Sequence, residues 1–282
     1  MRIIFSRKGF DSTSGRIPSP LLPDNTLLSL PIPETDNRHV RELHYSDLKY
    51  NGTTYSEIID SLGQLPDAFC HLDPDLRYDI RKRKEPESSW RALFGQKGSV
   101  QSLLSNAGVG KGDIFLFFGL FLEADNNFNY TKPRTKKKHC IWSYFQVDEL
   151  LDDEKKFKKY AAEHKDAVKH PHAKGWDRRN CIYVAKEKNS LNQKIPGWGL
   201  LKNKSIDPNY SVVLTEEGNP CSYWKLPDFF GGERFYINQE IAADGTFRNS
   251  GRGQEFVIDT DNCKHREKII DWVKTLILKN SN

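Results

Sequence analysis

Residues 113–123 read DIFLFFGLFLE, an apolar run with four phenylalanines between two acids. It is half the length of about 20 residues that a membrane-spanning helix needs. Its shortness and its phenylalanines predict a strand buried on both faces rather than a helix. HCIWSYFQVDEL (139–150) reads as a second strand, separated from the first by the polar, hairpin-like insert ADNNFNYTKPRTKKK. Working outward, RIIFS (2–6), NCIYVAK (180–186), YSVVLT (210–215), RFYINQEI (234–241) and QEFVIDT (254–260) add short strands. LLPDNTLLSLPIPE (21–34) has proline too often for a helix and reads as extended edge pieces.

Helices are predicted where apolar residues recur every three or four positions. Tyr55, Ile58, Ile59 and Leu62 mark one, and a second runs from about Ser99 to Asn106, ended by Gly108. DDEKKFKKYAAEHKDAV (152–168) and CKHREKIIDWVKTLILK (263–279) complete the set. Strands outnumber helices without alternating regularly with them. The expectation is therefore an α+β fold, a mixed and mainly antiparallel sheet with flanking helices, formed as a single domain over residues 1–282.

Sixteen Phe, eleven Tyr and six Trp in 282 residues mean that large rings carry the apolar content, as in a folded globular chain rather than a disordered one. The net charge of +5 does not by itself specify a nucleic-acid partner. Five widely spaced cysteines without a C-x-x-C pair indicate neither a disulfide framework nor a zinc ribbon, and are expected to be reduced and mostly buried. The apolar run at the N-terminus is too short for a signal peptide and no segment approaches a membrane span, so a cytoplasmic protein with no membrane partner is expected.

Polar clusters gather at strand ends and beside glycines. In SRKGFDS, Arg7 and Lys8 bring positive charge, Gly9 admits a ligand to the backbone, and Asp11 offers an acceptor; such a loop holds phosphate or is a solvated turn. In HLDPD, extended backbone puts His71, Asp73 and Asp75 on one face, suited to general acid–base work, while Asp-Pro-Asp is equally ordinary turn composition. GVGKGD resembles a phosphate loop, but it precedes a strand where that loop would open a helix, so it reads as a strand-entry turn.

In KHPHAKGWDRRN, His170 and His172 could chelate a metal with a third ligand such as Asp73 or Asp75; Pro171 and the basic neighbours favour anion contact instead, and no metal site is assigned. Arg252, Gln254 and Glu255 open an apolar strand, whose alternation sends Gln254 and Glu255 to opposite sides. The runs RKRK (81–84) and TKPRTKKKH (131–139) are basic patches, and Trp90, Tyr130, Trp142 and Tyr144 offer stacking surface for a base.

Taken together, SRKGFDSTSGRIPSPLLPDNTLLSLPIPE, HLDPDL, WRALFGQKGSVQSLL, VGKGDIFLFFGLF, the HPH region and SGRGQEFVID resemble the third family of nucleotide-modification-associated domains, found in phage and bacterial genomes beside DNA-modifying genes. The resemblance covers Arg2 to Asp259 and implies a role near modified bases or nucleotides. It carries over Arg7, Lys8, Asp11, His71, Asp73, Asp75, Gln96, Asp113, His170, His172, Arg252, Gln254 and Glu255 as pattern, with no catalytic role attached to any one. RGQEFVI is also similar, over a few residues, to the terminal strand of ADP-ribosyltransferases that modify DNA.

The expected function is an enzyme modifying a nucleobase or nucleotide in DNA by glycosyl or ADP-ribosyl transfer. His71, Asp73, Asp75 and Glu255 are the catalytic candidates. Arg7, Lys8, Asp11, Gln96, His170, His172, Arg252 and Gln254 are the substrate-binding ones. The alternatives are a non-catalytic reader of modified nucleic acid and a metal-dependent nuclease or hydrolase. The partner is a nucleotide or DNA; the residues leave cofactor and oligomeric state open.

Overall fold

The computed structural model describes residues 1–34, 43–64, 69–237, 239–249 and 255–281. The fold is α+β, built on a mixed, mostly antiparallel eight-stranded sheet. In chain order its strands are β1 (Arg2–Arg7), β2 (Ser19–Leu21), β3 (Leu93–Lys97), β4 (Ile114–Glu123), β5 (Lys138–Leu151), β6 (Asn180–Ala185), β7 (Trp198–Leu200) and β8 (Glu255–Asp259). The hydrogen-bonded order is β8-β1-β4-β5-β6-β3, with β2 beside β4 and β7 beside β5. Only the β1/β4 and β2/β4 pairs are parallel.

Strand β4 is central, as its unbroken apolar character requires. Phe115 and Phe117 face Phe94, Phe145 and Tyr183, with ring centroids 4.9 Å apart for Phe94–Phe115 and Phe94–Phe117. Ordinary alternation sends Phe118 to the other face, against Trp224 and Phe256, while the register shift opposite Phe117 and Phe118 leaves Trp142 of β5 as the extra residue. Each fully buried ring of this kind contributes about 2–3 kcal/mol. The outer face is closed by Trp224, Leu226, Phe230, Phe235, Ile241 and Phe247 and by the C-terminal helix, whose Trp272 ring lies 6.2 Å from that of Phe5.

The sheet curls until its two edge strands nearly meet. The Gln96 amide on β3 donates to Glu255 Oε1 on β8 at 2.6 Å. Helix α2 (Gly98–Asn106) follows β3 directly and is tied in by the Tyr183 hydroxyl, which donates to Gln101 Oε1 at 3.0 Å. A second apolar cluster sits around α1 (Tyr55–Ser61), capped by Thr54 and packed with Tyr45 and Phe10. Helix α3 (Glu154–Glu163), N-capped by Asp153, and α4 (Arg266–Asn280) complete the helices; among the described residues none is long and apolar enough to cross a membrane.

The structure departs from the sequence expectation in several places, among them β7, which the sequence reading leaves unassigned. YSVVLT forms only isolated bridges, at Val213 and Thr215, because it runs alongside β5 without maintaining a ladder. RFYINQEI splits into the two-residue strands Arg234–Phe235 and Gln239–Glu240, paired with each other. The helix expected over 152–168 stops at Glu163, where short 3-10 turns take over. Strand β3 was not foreseen, since Gly95 and Gln96 interrupt its apolar signal; β6 pairs with it in full.

Candidate functional site

Alternation along β1 separates two neighbours that the sequence presents as one cationic pair. Phe5 and Arg7 share the outer face, where the Arg7 guanidinium lies over Phe118 and donates to Asn249 Oδ1 at 3.4 Å. Ser6 and Lys8 face the curled interior. There the Ser6 hydroxyl donates to Glu255 Oε1 at 2.9 Å, and Lys8 Nζ lies 4.4 Å from the Phe94 ring centre. Arg7 and Lys8 therefore serve different surroundings. Asp11 is occupied by its own turn, accepting from the Thr13 and Ser14 amides at 2.7 Å each.

The interior cluster is centred on Asp73, only 8% exposed. Its Oδ1 accepts from the Gly95 amide at 2.7 Å, and Lys8 Nζ lies 3.6 Å from Oδ2. His170 Nε2 stands 3.3 Å from Oδ1 and His172 Nε2 3.8 Å from Oδ2. Those neighbours outweigh burial and hold the Asp73 carboxyl far below the usual carboxylate range. His71 joins from the end of the short strand Cys70–His71, with its ring 5.3 Å from that of His172 and its Nδ1 bonded to Glu34 Oε2 at 2.7 Å. His172 is locked by Asn180, whose Oδ1 is 3.0 Å from Nδ1 and whose amide donates to the His172 carbonyl at 2.8 Å. Burial pushes His172 down to about 3, against the pull of Asp73, so the ring is neutral at pH 7. A glycine is required at 95 because a Cβ there would meet the His172 ring at 2.4 Å.

Asp75 does not share this face, which corrects the alternation argument. The extended path ends at His71, the Asp73–Pro74 peptide is cis, and Asp75 turns to exchange backbone hydrogen bonds with Leu93. Its carboxylate is clamped by Arg83 at 2.7 and 3.0 Å and by Arg81 at 3.0 Å. Arg83 in turn stacks 4.4 Å over Trp90. Half of the RKRK patch is thus structural. Asp113 likewise organises a turn, accepting from the Arg2 and Gly110 amides at 2.7 and 2.8 Å. Arg252 and Gln254 lie outside the described residues.

Asp73 and Gly9 also border a cleft of about 890 Å3, within the usual range for small-molecule sites. Trp90, Trp142, Trp198, Tyr50 and Tyr78 contribute rings to it, and Arg77, Arg91 and Lys202 contribute cations. The Trp142 indole N–H, buried at this wall, has no hydrogen-bond partner among the described residues. Of the stacking candidates, Trp90 and Trp142 line the cleft. Tyr130 and Tyr144 instead spend their hydroxyls on the Pro18 and Pro196 carbonyls. Trp198, Tyr78, Gly95, Asn180 and Glu34 belong to the site or its support and were not anticipated. Alternation from Lys8 would have found Ser6, but nothing local marks Asn180.

Glu255 behaves oppositely to Asp73. Burial dominates, and despite Lys8, Ser6 and Gln96 its carboxyl is raised from 4.5 to about 7. A raised acid favours the folded state while protonated, so this contribution is full below about pH 4.5, declines through the interval up to about 7, and is absent above it. Substitution Glu255→Gln, which mimics the neutral form, is expected to gain about 3 kcal/mol relative to wild type between pH 4 and pH 8. Urea unfolding at the two pH values measures this; a pH-independent difference would place the carboxyl in a solvated setting.

A family model described as nucleotide modification associated domain 3 matches residues 2–259. No curated protein and no solved structure matches the chain.

Proposed function

The chain belongs to the nucleotide modification associated domain 3 family, and from that premise and the site we propose an enzyme that transfers a glycosyl or ADP-ribosyl group to a nucleobase or nucleotide. The observation that carries the reading is the position of Asp73, which borders the aromatic cleft and anchors the buried polar cluster. Rings on the cleft walls suit a stacked base. Asp73 is the fixed negative charge around which Lys8 and His170 are held, and those donors suit the anionic oxygens of a bound nucleotide.

In the transfer, a base nitrogen or oxygen attacks the sugar carbon, and the bond to the leaving group breaks with its electron pair. The proton lost by the acceptor needs a base. Glu255 has a proton affinity centred near neutrality and lies behind the cleft, held by Ser6 and Gln96, so in this reading the proton reaches it by relay through the Lys8–Asp73 cluster. The exposed loop carrying Lys132, Arg134, Lys136 and Lys138 supplies charge for a polymer substrate, so binding to DNA is expected to weaken steeply with salt.

Nucleoside monophosphates and short single-stranded oligonucleotides should quench the tryptophan emission saturably, with the quench reduced in Trp90→Leu and Trp198→Leu. Saturable binding that ignores both substitutions, or none at all, would remove the cleft from the proposal.

A further inference from the structure

We propose that His71, Asp73 and His172 form a binding site for a first-row divalent cation of the zinc or iron type. Such a site goes beyond the nucleotide reading and does not depend on it. One ligand atom from each of the three side chains lies within 4.8 Å of the other two. An ion bound about 2.1 Å from each ligand holds them about 3–3.5 Å apart, so loading closes the site by less than about 2 Å.

The strongest support lies behind the ligands. A metal-binding histidine presents one ring nitrogen to the ion and donates the other N–H to a carboxylate or carbonyl oxygen, which fixes tautomer and orientation. Both histidines here have that arrangement. Glu34 engages His71 Nδ1 at 2.7 Å and the Asn180 carbonyl oxygen engages His172 Nδ1 at 3.0 Å, leaving each Nε2 as the lone-pair side. Asp73 is prepared in the same way, since Oδ1 is taken by the Gly95 amide while Oδ2 lies 3.8 Å from His172 Nε2.

Two imidazoles and one carboxylate favour zinc, iron, cobalt or nickel over magnesium and calcium, which prefer all-oxygen sites. Three protein ligands leave positions for water or for an oxygen of a bound molecule, and Asp73 places the ion beside the cleft. Asp75 is not a fourth ligand, because Arg81 and Arg83 occupy it. Lys8 is the competitor: its ammonium, 3.6 Å from Asp73 Oδ2, sits against the oxygen the ion would use.

The test uses the chelator-treated full chain and Co2+ alone, followed by visible absorption and calorimetry. One equivalent should bind with the bands of mixed nitrogen and oxygen ligation, and Zn2+ should displace it. His71→Ala and His172→Ala should each weaken binding about 10- to 100-fold or more, and Asn180→Ala by about 10-fold with all three ligands present. Lys8→Met should tighten it. His71 is only half-buried at the end of a short strand, so its variant keeps the test decisive if His172→Ala fails to fold. Absence of stoichiometric Co2+ binding, or affinity unchanged in His71→Ala, overturns the proposal.

Discussion

Asp73→Asn is expected to lower turnover on the order of 10^3-fold while the protein remains folded at 25 °C. The amide oxygen can still accept from Gly95, and the new NH2 can donate toward His172 Nε2, so the hydrogen-bonded frame persists. What disappears is the charge that holds Lys8 and the histidines in place. We expect a stability cost of about 2 kcal/mol at pH 7. Asp73 titrates far below its unfolded value, so its contribution is present above about pH 4 and is lost as the pH falls. The wild-type advantage over the variant should therefore shrink in acid. Single-turnover kinetics together with urea unfolding separate the two effects; a loss of activity matched by a loss of folded protein would make Asp73 a structural residue.

Asp75→Asn is expected to do the reverse, costing about 4 kcal/mol of stability and lowering Tm on the order of 10 °C. The carboxylate neutralises two guanidiniums, with side chains 5% and 1% exposed, and the substituted amide would turn an N–H toward one of them. Burial without a counter-charge is what makes the loss large, since an exposed pair of the same geometry is worth under about 1 kcal/mol. Because Arg83 also supports Trp90, nucleotide binding should weaken along with stability. Thermal unfolding followed by circular dichroism gives the answer; a change under about 1 kcal/mol would mean that water reaches the arginines and takes over from the carboxylate.

Much of the frame was legible because it follows from local periodicity. The buried run at 114–123, the strand at the N-terminus and the helices at 55–61, 98–106 and 266–280 stand close to where their apolar patterns place them. Lys8, His71, Asp73, Gln96, His170, His172 and Glu255 are brought into one neighbourhood. Arg7 is not, although the period-two alternation of β1 already separates it from Lys8. Asp75 was grouped with Asp73 by extended alternation although Asp-Pro-Asp reads equally as a turn, and its true partners appeared only as a basic patch six and eight positions later. Long-range curling was out of reach: the contact between Gln96 and Glu255 joins two sheet edges 159 residues apart, and no local pattern encodes it.

The central claim is that the polar cluster around Asp73 modifies a nucleotide. Mass analysis of nucleosides from digested DNA, and of the free nucleotide pool, in cells expressing wild type or Asp73→Asn tests it most directly. A nucleoside or nucleotide of increased mass should appear with the wild type and be missing with the variant. Identical profiles from the two, with the variant shown to be folded, would contradict the claim.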